Sequence, residues 1–222
     1  QSNGFYDITL GKISASKGFS PDFGLDLSDY VEVGNTKYEL KTNKLIKYQD
    51  FWFDMSSIAK GFAVQQLHDY LISNDLTNHL IDIGGEVIIN GTNKTNAWVI
   101  GIQDPRNQLD KPFFLVSNDK SNFLAIATSG EYRNYRYDND KLVTHTFDPF
   151  TKKSISGNLE SITIISQNSA TIADAYATAV NVMGLERGLD FVNTNGIAAL
   201  FIINEEGELK SIKSQKWYDL EL

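Results

Sequence analysis

Apolar positions along this 222-residue chain recur at two spacings that alternate irregularly. Period-two alternation or short apolar runs predict strands at 5–10 and, either side of a Gly34-Asn35 turn, at 30–33 and 37–40. Further strands are predicted at 79–83, running through Gly84-Gly85 into 87–89, and at 97–102 and 123–128. The pair 132–137 and 142–147 is joined by an Asp138-Asn139-Asp140 turn, and strands at 160–166, 197–203 and 209–212 complete the set. Helical spacing appears over 58–72, where Ala63, Leu67, Tyr70 and Leu71 share a face and Ser56 and Ser57 stand where capping residues belong. A second helix is predicted over 171–183 with Gly184 as its stop, and a short third over 185–193, ending at Asn195-Gly196. Strands predominate and helices interrupt them without regular βαβ order. The fold class expected is therefore α+β with mixed or antiparallel sheets.

Composition narrows the function classes. Length suits one domain over 1–222 or two intimate lobes, and 41% hydrophobic residues suffice for a core. A net charge of −8 with scattered lysines argues against a nucleic-acid partner, which demands a basic surface. The absence of cysteine excludes disulfides, thiolate metal sites and cysteine nucleophiles. No stretch approaches the roughly 20 apolar residues of a membrane span, and the residues from Gln1 onward carry no signal-peptide pattern.

Four segments carry candidate chemistry. Asp54-Met-Ser-Ser-Ile-Ala-Lys-Gly (54–61) puts an acid, two hydroxyls, Lys60 and Gly61 at a helix start. Free N–H groups there attract anions and Gly61 admits a close ligand, although a capped helix with a solvated lysine has the same signature. Gly84-Gly85 inside an apolar strand marks either a sheet bend or a close backbone approach to a ligand. Ala-Thr-Ser-Gly-Glu-Tyr-Arg (127–133) and Thr-His-Thr-Phe-Asp-Pro (144–149) end predicted strands, and His145 is either a general base or an inert, hydrogen-bonded histidine. Asp174 and Thr178 lie four apart on a helix rich in alanine, so a carboxylate and a hydroxyl share one face. Such hard oxygens suit Mg²⁺, while an acid in a first helical turn also simply complements the dipole.

The order of the motifs is more telling than any one of them. Gly-Phe-Tyr-Asp-Ile-Thr-Leu-Gly (4–11), Asp-Met-Ser-Ser-Ile-Ala-Lys-Gly-Phe-Ala (54–63), Ile-Asp-Ile-Gly-Gly-Glu (81–86) and Trp-Val-Ile-Gly-Ile-Gln-Asp-Pro (98–105) are followed by three more. These are Ala-Thr-Ser-Gly-Glu-Tyr-Arg (127–133), His-Thr-Phe-Asp-Pro (145–149) and Ala-Asp-Ala-Tyr-Ala-Thr-Ala (173–179) with Met183-Gly184. In this arrangement the chain resembles the ApbE family of FAD:protein FMN transferases along nearly its whole length. The resemblance implies an enzyme that cleaves the FAD pyrophosphate, attaches FMN to a threonine or serine hydroxyl of a target flavoprotein, and releases AMP. It implies a Mg²⁺ held by the Asp174 carboxylate, the Thr178 hydroxyl and the Ser57 carbonyl, and His145 as the base in a loop shaped by Asp148 and Pro149. Tyr6, Asp7, Asp54, Lys60, Gly84, Gly85 and Thr146 fall where the family contacts FAD.

The resemblance also implies a further segment ahead of Gly4 in a full-length member, which covers part of the flavin, and an extracytoplasmic location. Departures lie at 13–18, where a usual tryptophan is missing, at Thr146, and in Phe-Thr-Lys-Lys (150–153) after the Asp-Pro turn. Two other functions fit the same residues. One is a metal-dependent FAD pyrophosphatase giving FMN and AMP, and the other a flavin-binding protein without turnover. The latter has no need of His145, Asp174 and Thr178 together.

Overall fold

The computed structural model describes residues 2–24, 27, 38–106, 111–131, 135–138 and 141–221. A short helix α1 (Gly11–Ser16) is followed by a hairpin of β1 (Tyr38–Lys41) and β2 (Lys44–Lys47), then by helix α2 (Ala59–Ser73). Strands β3 (His79–Ile83), β4 (Glu86–Asn90), β5 (Val99–Gln103), β6 (Pro112–Ser117) and β7 (Phe123–Gly130) come next. The chain continues through β8 (Tyr135–Asp138), β9 (Lys141–Thr144) and β10 (Leu159–Ser166) into the long helix α3 (Ala170–Thr194). It closes with β11 (Ala198–Glu205), β12 (Glu208–Lys213) and α4 (Gln215–Asp219).

Six strands form the central sheet in the order β12-β11-β10-β7-β4-β3, antiparallel at every pairing. Both faces are covered, and strand alternation sorts the side chains between them. Val87, Ile89, Leu124, Ile126, Leu200 and Ile202 face the β5–β6 hairpin and Trp217 of α4. Ala127, Ala199 and Phe201 meet Ala173, Ala177 and Val180 of α3, while Ile88 and Ala125 meet Val64 of α2. Fully buried side chains such as Leu200 and Phe201 each contribute about 1.5–3 kcal/mol relative to exposure. Burial on two faces explains why these strands read as continuous apolar runs. No helix among the described residues is long and apolar enough to cross a membrane.

The α+β expectation holds, and most elements lie within a few residues of their predicted bounds. Gly184 does interrupt the helical conformation, at φ 72°, between two helical stretches. Other expectations fail. Residues 5–10 form turns leading into α1, because the Asp7 carboxylate accepts the Thr9 N–H at 2.9 Å and its hydroxyl at 2.6 Å, drawing the backbone away from a ladder. Ser56 and Ser57 do not cap α2: its N-cap is Ile58, with no side-chain cap. Gly84-Gly85 is not an interruption within one strand but a two-residue hairpin turn, with Ile83 paired to Glu86 and both glycines at positive φ (62° and 98°). That conformation at both central residues is what a type I′ turn requires, and glycine adopts it without strain. The strand predicted at 30–33 lies outside the described residues, as do 132–134 of the strand predicted there.

Candidate active site

Five pieces of this frame converge: the start of α2, the first half of α3, the β3–β4 turn, the end of β7, and the loop after β9. With residues 5–10 they enclose a cleft of about 260 Å³. Tyr6, Asp7, Asp54, Ser57, Lys60, Gly84, His145, Thr146, Asp174 and Thr178 all line it. Gly85 does not. It is the second residue of the turn, and its N–H donates to Asp82 Oδ1 at 2.9 Å.

Close packing of α2 against α3 sets the floor. A Cβ on Gly61 would stand 2.5 Å from the Ala170 carbonyl oxygen and 2.6 Å from the Asp174 Cβ. The glycine therefore admits a neighbouring helix, not the ligand its position suggested. Its N–H donates to Asp174 Oδ2 at 2.8 Å, which fixes the carboxylate. Asp174 is 4% exposed, and burial pushes its pKa up against the opposing pull of that N–H and of Lys60. Thr178 follows one turn later and faces the same space.

A second buried acid pairs with the lysine. Lys60 Nζ lies 2.5 Å from Glu86 Oε2, and the Glu86 side chain is 3% exposed. Burial pushes the Glu86 carboxyl up and the Lys60 ammonium draws it back. Sequence reasoning gave Glu86 no role, yet an acid bordering the apolar run 87–89 already required a counter-charge. Ser57 Oγ is 3.1 Å from the Tyr6 hydroxyl, and burial raises the Tyr6 pKa. Asp54 accepts the Ser56 N–H at 2.9 Å, holding the turn into α2.

His145 follows β9 in a loop whose shape depends on Asp148. The Asp148 carboxylate accepts the Phe150 N–H at 2.8 Å, its carbonyl accepts Lys152 N–H at 2.8 Å, and its N–H donates to the Lys153 carbonyl at 2.9 Å. The predicted strand over 142–147 stops at Thr144 because this loop takes over the backbone bonding. Phe19 packs beside the imidazole, with ring centroids 6.3 Å apart. Four acids (Asp7, Asp54, Glu86, Asp174) line the cleft against one Lys or Arg, Lys60, among the described residues.

Comparison with known proteins identifies the family. The ApbE family model matches residues 1–201. An FAD:protein FMN transferase of Vibrio cholerae serotype O1 is 32% identical over 225 residues, covering 96% of this chain and 66% of that protein. Its counterpart in Haemophilus influenzae is 32% identical over 217 residues, covering 91% and 62%. The apo form of the Pseudomonas stutzeri flavinyl transferase ApbE superposes with a TM-score of 0.81 at 28% identity, over 99% of this chain and 70% of that one. The chain thus spans about two thirds of the length of the curated relatives it matches. On the family match and the shared fold, this chain belongs to the ApbE family.

Proposed function

We propose that this cleft transfers FMN from FAD to a threonine or serine hydroxyl of a target flavoprotein in a Mg²⁺-dependent reaction that releases AMP. The observation that carries the proposal is the convergence of buried Asp174 with Thr178, Ser57, Lys60 and His145 on one space. The donor set fits magnesium. One carboxylate, one hydroxyl and one main-chain carbonyl leave positions for water and phosphate oxygens, which is how Mg²⁺ is usually held. The charge balance also fits, because an acidic cleft whose lysine is already paired with Glu86 repels a pyrophosphate unless a divalent ion reverses the local field. Asp174, Thr178 and the Ser57 carbonyl would hold the ion, and it would neutralise charge on the phosphate oxygens.

The remaining work falls to the chain's own groups. Lys60 contributes positive charge beside the pyrophosphate, and the β3–β4 turn at Gly84 lets the cofactor approach the backbone. His145 takes the proton from the acceptor hydroxyl as that oxygen forms a bond to the FMN phosphorus. The bridging P–O bond breaks, and AMP leaves with its electron pair. The names of the relatives support this reading, and the extracytoplasmic location implied by the resemblance belongs to the same proposal.

The test is incubation of the protein with FAD, Mg²⁺ and a panel of synthetic peptides, each bearing one central threonine, read by intact mass. The expected result is a peptide heavier by one FMN, lost on chelation with EDTA. Peptides that stay unmodified while FAD is consumed would overturn the transferase reading.

A further inference from the structure

Beside the cleft lies a second, larger depression of about 1030 Å³. The two share Val182, and the loop after β9 divides them. Thr144 and Asp148 face the larger groove, whereas His145, Thr146 and Phe147 face the cleft. Helix α3 runs through both: Asp174, Thr178 and Val182 line the cleft, and Asn181 and Val182 line the groove.

Two acceptors in the groove wall lack donors among the described residues. Asn181, 3% exposed, donates its amide N–H to Glu131 Oε1 at 2.6 Å and to Ser129 Oγ at 3.2 Å. A carboxylate can only accept, so this contact fixes the amide orientation. Asn181 Oδ1 and Glu131 Oε2 are then left without a hydrogen-bond partner among the described residues. Buried acceptors without donors are rare in folded proteins and call for an incoming N–H or O–H. The groove is also acidic, with Glu131, Asp148, Glu160 and Glu186 against Lys153 and Arg187. That balance favours a neutral or basic polypeptide, whose backbone supplies N–H donors.

We propose that this groove receives the acceptor polypeptide in extended form, its N–H groups donating to Asn181 and Glu131, so that its hydroxyl reaches His145 around the dividing loop. The assignment rests on the transferase reading above and names where its second substrate binds.

Gly157 allows a test that spares the fold. It is exposed, lines the groove, and a Cβ built on it meets nothing within 4 Å. Gly157→Trp should therefore obstruct part of the groove, and Asn181→Ala should remove one acceptor. With FAD, Mg²⁺ and the threonine peptides as probes, each variant should raise the peptide KM about tenfold or more while the FAD KM stays within about twofold. A normal melting temperature for Gly157→Trp keeps the test valid if Asn181→Ala folds poorly. An unchanged peptide KM in Gly157→Trp overturns the proposal. So does a raised FAD KM, which would mean that the groove holds the dinucleotide. Failure of the unmodified protein to flavinylate any peptide while still cleaving FAD overturns the transferase reading itself, and the groove assignment falls with it.

Discussion

Replacing Gly61 by alanine sets two effects against each other at the floor of the cleft. Alanine favours a helix interior by up to about 1 kcal/mol over glycine, and Gly61 is the third residue of α2. The added Cβ, however, would lie 2.5 Å from the Ala170 carbonyl oxygen and 2.6 Å from the Asp174 Cβ. Heavy atoms in contact sit about 3.5–4.0 Å apart, so α2 and α3 must separate by roughly 1 Å. Neither obstacle is the end of a flexible side chain, so neither can swing aside. Overpacking of this kind costs about 1–3 kcal/mol, and the rigidity of both obstacles puts it in the upper half. The net loss is then about 2 kcal/mol, or roughly 4–8 °C in Tm for a chain of this size. The same separation stretches the 2.8 Å bond from the Gly61 N–H to Asp174. Misplacing a catalytic group by about 1 Å costs on the order of 10²-fold in rate. Differential scanning fluorimetry and FAD turnover measure the two losses, with Gly157→Ala as a control that meets no neighbour. A Gly61→Ala protein as stable and as active as the original would refute the packing argument, because helix propensity would then have won.

Three further outcomes follow from the site and its surroundings. Asp174→Asn keeps an oxygen for the Gly61 N–H and removes a charge whose burial raises its pKa, so Tm should hold or rise while Mg²⁺-dependent turnover falls by about 10²-fold or more; a collapse in Tm would contradict this. His145→Asn should lower FMN transfer by about 10²–10⁴-fold and leave the FAD dissociation constant unchanged, which fluorescence titration checks. His68 is held below the usual histidine pKa by burial and by His79, whose ring nitrogen lies 2.9 Å from it. The unfolded chain therefore takes up a proton at about pH 6.5 that folded His68 refuses, so its contribution to stability is intact above that pH and declines below it. The difference in Tm between the protein and His68→Gln, followed from pH 8 to pH 5, should show that decline; a flat difference would contradict it.

What the sequence disclosed and what it withheld divide by range. Helix α2 and the two stretches of α3 are periodic over many residues, and Gly184 punctuates them where the structure breaks. The shared face of Asp174 and Thr178 was legible because spacing along one helix is local information. Strand β6 escaped because Pro112 opens it and Phe113, Phe114 and Leu115 do not alternate with polar residues. Strand β2 escaped because Lys44 and Lys47 frame only two apolar positions. Residues 5–10 alternate well enough to pass for a strand, but their backbone is taken up by Ser2, by Asp54 and by the capture of Thr9 by Asp7. The ion pair of Lys60 with Glu86 and the close fit of Gly61 on Ala170 join positions far apart in the chain. Periodicity cannot reveal such partners. The approach of Ser57 to the cleft likewise came from the family pattern of motifs, not from any spacing rule.

Where the FMN goes decides what this cleft does. With FAD, Mg²⁺ and a modified threonine peptide in hand, AMP and peptide-bound FMN can be quantified in the same reaction by chromatography. The transferase reading predicts that they accumulate in equal amounts, that both fall together by about 10²-fold or more in the Asp174→Asn protein, and that free FMN stays at background. AMP matched by free FMN, with the peptide unmodified, would instead show that water is the acceptor and contradict the central claim.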